Sequence, residues 1–296
     1  MTAPTPTTVL RGAARRPDLW LALAVLGFTA VVFGPAVHWL ASQTFAHEQL
    51  KQSAILVLLA GIWIAWEKRR TLRLDLQFSN TTIGWLLAAY ALAGAALFFK
   101  TSLLVLAGLV AAAGGAVNYL FGGQAFRRTL PLLTVFAVLI LCVLLFPVLD
   151  WPLRQMAGVE SARFLKSIGL ASQLAIQQHP DVRLLLITEQ QTFLVATECN
   201  GFGLITSSLL LGLIRLLYKR AAPGWFFVLL PLCLLVAFVF NFLRISTIVL
   251  LAPRFPGQYH LLHETAGLIA LYSGLGAVWL LTGTRTRTSV APPHSP

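Results

Sequence analysis

Apolar residues run along this chain in long blocks separated by short polar or basic stretches. A block of about 20 mostly apolar residues is the length at which a helix crosses a hydrocarbon core of roughly 30 Å. We read eight blocks, at approximately 19–41, 50–66, 82–99, 101–121, 129–149, 199–218, 224–251 and 262–282. The second and third are short, and the third and fourth nearly touch across Lys100. The first is too long for the apolar region of a signal peptide and lacks a clear small-residue cleavage site, so it reads as a retained helix. One long connection, 150–198, separates the fifth and sixth blocks. In it, ESARFLKSIGLASQLAI has apolar residues at helical spacing and predicts an interfacial amphipathic helix. VRLLLIT-EQ-QTFLVAT then predicts two short strands around a turn, the second running straight into Glu198 and Cys199. The pattern predicts an all-α polytopic membrane protein of about eight transmembrane helices, with a small extracytoplasmic helix-plus-hairpin segment between spans five and six. It divides into a tail (1–17), a five-helix membrane region (18–149), the loop (150–198), a three-helix core (199–283) and a second tail (284–296).

Composition agrees with lipid as the main solvent. Hydrophobic residues make up 57% and charged residues 11%, against about 45–50% and about 25% in soluble domains. The net charge of +12 has two readings, a nucleic-acid footprint or a topological label, and position decides between them. With the N-terminus inside, fourteen of the 22 basic residues fall on inner segments, seven fall on outer ones, and Arg244 lies within a span. That bias predicts an N-in, C-in chain with an even number of spans, and no nucleic-acid partner. Membrane lipids are the expected surroundings.

So few charges make the intramembrane polar residues conspicuous. Ionisable groups within spans are costly and usually functional. Cys142 and Cys233 lie in wholly apolar stretches and read as inert buried thiols, whereas Cys199 sits in ATECNGFG among polar and small residues. Cys199 opens the sixth span at its outer boundary. Arg244 is 20 residues beyond Gly224, at the inner start of the seventh span, and so rises roughly 30 Å to the same level. Asn241 shares its helix face. His263 opens the eighth span, again at the outer boundary. Singly, each has a plain explanation: a packed core thiol, a snorkelling arginine, a capping histidine. Their coincidence at one depth favours chemistry. A thiolate attacks carbonyls, and a cation or a helix start lowers a thiol's pKa; Cys199 is expected to have both. His263 supplies acid–base work, Arg244 stabilises an oxyanion, and Gly201 and Gly203 admit a substrate to the backbone. The N–H groups of the helix start are expected as further oxyanion donors.

At these residues the sequence resembles the exosortase/archaeosortase family of multi-span membrane proteins. The matching elements are TECNG with Cys199 and Gly201, NFLRI with Asn241 and Arg244, and HETAG with His263 and Gly267. The strand TFLVAT leading into the cysteine also looks like the family, and the resemblance covers roughly residues 180–282. Asn200 departs from the Ser or Thr commoner after the cysteine. The resemblance implies a cysteine transpeptidase acting on C-terminal sorting tails of secreted proteins, of the PEP-CTERM kind, at the outer face of the plasma (inner) membrane. It implies Cys199 as nucleophile, with Arg244 and His263 as its catalytic partners. Glu198, Asn200, Gly201, Asn241 and Glu264 are supporting candidates, and Glu264 is the next candidate base. The acceptor is implied to be an amine or hydroxyl on a lipid or surface polymer, with water as the alternative, and no cofactor is implied.

Two other classes compete. A transporter would use Arg244 to bind an anionic substrate, although Arg244 lies near one face and the halves show no internal repeat. A metal enzyme would draw on His260, His263, Glu264, Glu198 and Cys199, but the HxxH spacing is loose and HExxH is absent. The expected metal content is therefore none.

Overall fold

A computed structural model of the chain describes residues 17–67, 78–178, 182–189, 191–255 and 257–284. The basic tails and the basic run at 68–73, which carried part of the orientation argument, lie outside the described residues. Helix α1 spans Pro17–Ala46, α2 Glu48–Glu67 and α3 Asn80–Phe99. Helix α4 covers Ser102–Ser167 and is broken at Gly122, whose φ of 73° and ψ of 172° are not helical. Strands β1 (Ser172–Gln177), β2 (Arg183–Thr188) and β3 (Thr192–Leu194) follow, then α5 (Phe202–Tyr218), α6 (Pro223–Leu251) and α7 (Tyr259–Thr284).

Six of these helical stretches are long and apolar enough to cross a membrane: Leu23–Ala46, Asn80–Phe99, Ser102–Gly123, Phe126–Ser167, Pro223–Arg254 and Tyr259–Gly283. They correspond to six of the eight blocks. The other two are α2, which carries Glu48, Lys51 and Glu67, and the shorter α5. The chain is a helical polytopic membrane protein. Among the described residues, chain contacts divide it into two units, one of residues 1–43 and 69–133, the other of residues 44–68 and 134–296.

In the first unit, Ser79 caps α3 by accepting the Thr82 N–H at 3.1 Å. Asn118 of α4 is fully buried and donates to both Ser79 Oγ and Thr82 Oγ1 at 2.9 Å. Thr29 and Tyr90 share a hydrogen bond of 2.6 Å between α1 and α3. These polar links suit a bilayer, where apolar contact alone gives helices little preference for one another over lipid.

The second unit holds the sheet and the expected site residues. The sheet is antiparallel in the order β1-β2-β3. The hairpin lies where it was expected, closed by Thr188, whose Oγ1 donates to Gln191 O at 2.8 Å. The helix does not. Its helical spacing continues α4 to Ser167, and Ser172–Gln177 forms a third strand. Strand pairing overrides local periodicity here because β2 needs a second neighbour to bury its inward residues. Leu184 and Leu186 alternate on one face and are fully buried, each contributing about 1.5–3 kcal/mol. Phe193, Val195, Cys199, Ile245 and Val249 join the same core. The thiol is therefore seated where the sheet meets α6.

Candidate active site

Strand β3 leads directly into the turn that carries Cys199. Val195 N–H donates to Leu184 O at 2.8 Å, the last rung on β2, and Cys199 N–H closes on Ala196 O at 2.9 Å. Residues Thr197–Cys199 make one 3₁₀ turn, and α5 starts only at Phe202. The thiol thus precedes the helix rather than opening it, as the sequence had suggested. Two of the N–H groups expected at the helix start as oxyanion donors are engaged: Phe202 N–H donates to Asn200 Oδ1 at 2.7 Å and Gly203 N–H to Gln49 Oε1 at 3.1 Å.

Gly201 links turn and helix with a φ of 76°, in the left-handed region. A Cβ there would lie 2.7 Å from Cγ and Nδ2 of Asn241, so both backbone and space require glycine. The close approach lets Asn241 Nδ2 donate to Cys199 O at 3.1 Å. Arg244, three residues along α6, uses both ends of its guanidinium. Nη1 donates to Glu198 O at 2.8 Å, and Nη2 lies 3.0 Å from His263 Nε2. Its flat face rests on Gly267 of α7, where a Cβ would stand 3.3 Å from Cζ, Nε and Nη2. Snorkelling to lipid headgroups does not describe this arginine.

The Arg244 contact fixes the state of His263. Arginine only donates, so Nε2 accepts and the ring proton resides on Nδ1. Cys199 Sγ lies 3.7 Å from that same Nε2. The single lone pair of Nε2 therefore faces both the guanidinium at 3.0 Å and the thiol at 3.7 Å, and serves one of them at a time. Tyr259, one turn earlier on α7, lies parallel to the imidazole at 6.0 Å and 10°. Burial pushes the Cys199 thiol up, and Glu198 adds to this; Arg244 and the Ala196 backbone oppose it without prevailing. The lowering expected from a nearby cation is not found, because desolvation outweighs it. At rest Cys199 is a protonated thiol, and its proton has an acceptor within reach.

Of the sequence-derived residues, Cys199, Gly201, Asn241, Arg244 and His263 come together. Glu198 gives its carbonyl to Arg244, while its side chain is exposed at the cavity and acts on the thiol only through its charge. Asn200 turns to α4, donating to Asp150 Oδ1 at 2.7 Å. Glu264 is exposed and pairs with His260 at 3.5 Å. Among the described residues, no three His, Cys, Asp or Glu side chains group in a way that could hold a metal ion. Two residues were missed by the sequence reading, Gln49 and Asp150. Both are polar groups flanking apolar blocks at the ends that N-in topology places outside, and that shared level was the available signal.

A cavity of about 670 Å³ opens beside these groups, with Glu48, Gln49, Arg244 and His263 near the reactive end and Leu268 and Leu271 farther along α7. Those leucines are five and eight residues past His263, or about 8–12 Å deeper along the helix. The space suits a molecule with a reactive polar part and an apolar continuation. A family model described as transmembrane exosortase matches residues 39–281, while no curated protein and no solved structure matches the chain. That match runs from the end of α1 through α7 and takes in all three motif segments, and the chain belongs to the transmembrane exosortase family.

Proposed function

We propose that the protein is a membrane cysteine transpeptidase that cleaves C-terminal sorting tails of secreted proteins at the extracytoplasmic face of the plasma (inner) membrane. The supporting observation is the 3.7 Å approach of Cys199 Sγ to His263 Nε2, with Arg244 donating to the same nitrogen. Arg244 Nη2 gives up its hydrogen bond to Nε2, and the thiol proton passes to that lone pair as sulfur attacks the scissile carbonyl carbon. Arg244, already within reach of the imidazole and the Glu198 carbonyl, stabilises the negative charge on sulfur and then on the carbonyl oxygen. The C–N bond breaks, His263 returns the proton to the departing amine, and a Cys199 thioester remains. An acceptor amine or hydroxyl on a lipid or surface polymer then attacks the thioester, giving its proton to His263. The C–S bond breaks and the thiol is restored. The helices from 199 to 283 form the catalytic core in this reading, and the cavity's apolar end receives the tail's membrane helix.

The test is processing of a tailed secreted protein in membranes holding the full chain. Cys199→Ala is expected to leave the tail uncut while the protein still inserts. An anion carrier built on Arg244 would not need the thiol, so normal processing by Cys199→Ala overturns the proposal.

A further inference from the structure

Helix α2 reaches the catalytic turn through one side chain. Gln49, its second residue, spans the turn from both sides: Nε2 donates to Thr197 O at 2.5 Å, and Oε1 accepts the Gly203 N–H at 3.1 Å. Those two backbone groups stand two residues before Cys199 and four after it. The bridge is closely seated, since a Cβ on Gly203 would lie 2.9 Å from Gln49 Cβ. One turn deeper, Ser53 Oγ and Ser207 Oγ meet at 3.0 Å, both buried, and tie the same two helices.

We infer that Gln49 is a positioning residue for the nucleophile, holding the Thr197–Gly203 segment so that the Cys199 thiol stays aimed at His263. The inference rests on the proposed function for its catalytic meaning, but its geometry does not. A primary amide is the one neutral side chain that offers a donor and an acceptor side by side. Here the acceptor takes up a helix-start N–H and the donor takes up a carbonyl of the preceding turn. The turn 197–199 is only three residues long and is followed by left-handed Gly201, so it has little regular structure of its own to hold it. Asn241 holds it at Cys199 O from α6. Gln49 fixes its two ends from α2.

The experiment uses the full chain in membranes and two readouts: kinetics of tail processing, and alkylation of Cys199 by a charged, membrane-impermeant thiol reagent across pH. Gln49→Met keeps the length and loses both hydrogen bonds. It is expected to lower kcat about tenfold or more with KM changed less than about threefold. Alkylation is expected to become faster at neutral pH, with its midpoint shifted down, because a loosened turn is less buried. Cys142 and Cys233 stay unlabelled if the fold is intact. Should they label, the comparison passes to Gln49→Glu, which keeps the Gly203 acceptor and loses the Thr197 donor; an intermediate fall in kcat is expected. Leu59→Met, on an exposed position of the same helix and outside the cavity lining, is expected to match wild type. A folded Gln49→Met or Gln49→Glu protein with wild-type kcat and an unchanged alkylation profile overturns the inference. Normal processing by Cys199→Ala would instead overturn the proposed function, and the alkylation comparison would still report whether Gln49 holds the turn.

Discussion

Gly201→Ala is the perturbation whose cost the structure specifies most fully. A non-glycine residue in the left-handed region costs roughly 1–2 kcal/mol. The new methyl group would sit 2.7 Å from Asn241 Cγ and Nδ2, well inside the ~3.5–4.0 Å at which heavy atoms attract. Relieving that contact by moving Asn241 or the turn costs about 1–3 kcal/mol. The gross loss is therefore about 2–5 kcal/mol, and the smaller entropy of an alanine-containing unfolded chain, about 0.4–1 kcal/mol, does not reverse the sign. Asn241→Ala separates the two contributions. By itself it leaves Cys199 O without its partner, about 1–3 kcal/mol. Combined with Gly201→Ala it removes the two 2.7 Å contacts, leaving the 3.1 Å approach to the remaining Cβ, the backbone strain and the unpaired Cys199 carbonyl. The double variant is thus expected to be more stable than the sum of the single effects by about 1–3 kcal/mol. Reversible unfolding of the purified protein in mixed micelles, titrated with a denaturing detergent, gives all four stabilities. Gly201→Ala within 0.5 kcal/mol of wild type, or a cycle additive to about 0.5 kcal/mol, would refute the reasoning.

Two further predictions follow from the same residues. Alkylation of Cys199 should keep rising with pH beyond the ~8.5 at which an exposed thiol is half ionised, since burial holds the thiol up; Arg244→Gln removes a cation that favours the thiolate and should move the curve higher still, and a curve that moved down would contradict the assignment. Arg244→Lys keeps the charge but cannot reach Glu198 O and His263 together, so processing should fall by about 10- to 150-fold, equivalent to roughly 1.5–3 kcal/mol for one charged hydrogen bond, and full activity in kinetic assays would remove the bidentate role.

Six of the eight spans and the meeting of Cys199, Arg244 and His263 were legible because both follow from counting residues along helices of fixed rise. What counting along single helices did not give was the polar scaffold. Gln49 and Asp150 act on backbone and side-chain groups more than 45 residues away in the chain, and no local period marks such a pairing. The strand at Ser172–Gln177 was misread for a related reason. Its apolar spacing fits a helix, but its partner β2 decides its conformation. The direction of the thiol's pKa was also beyond the sequence, which names a nearby cation but not the depth of burial.

The buried bond between Ser53 and Ser207 joins residues 154 positions apart. At chain-elongation rates of about 5–20 residues per second, α2 is complete roughly 8–30 s before α5 leaves the ribosome. During that interval Gln49 and Ser53 are without the partners that later satisfy them. The turn that carries Cys199 therefore acquires its support at a late stage of biosynthesis, and anything that slows or diverts the insertion of α5 leaves a chain with that turn made but not yet held.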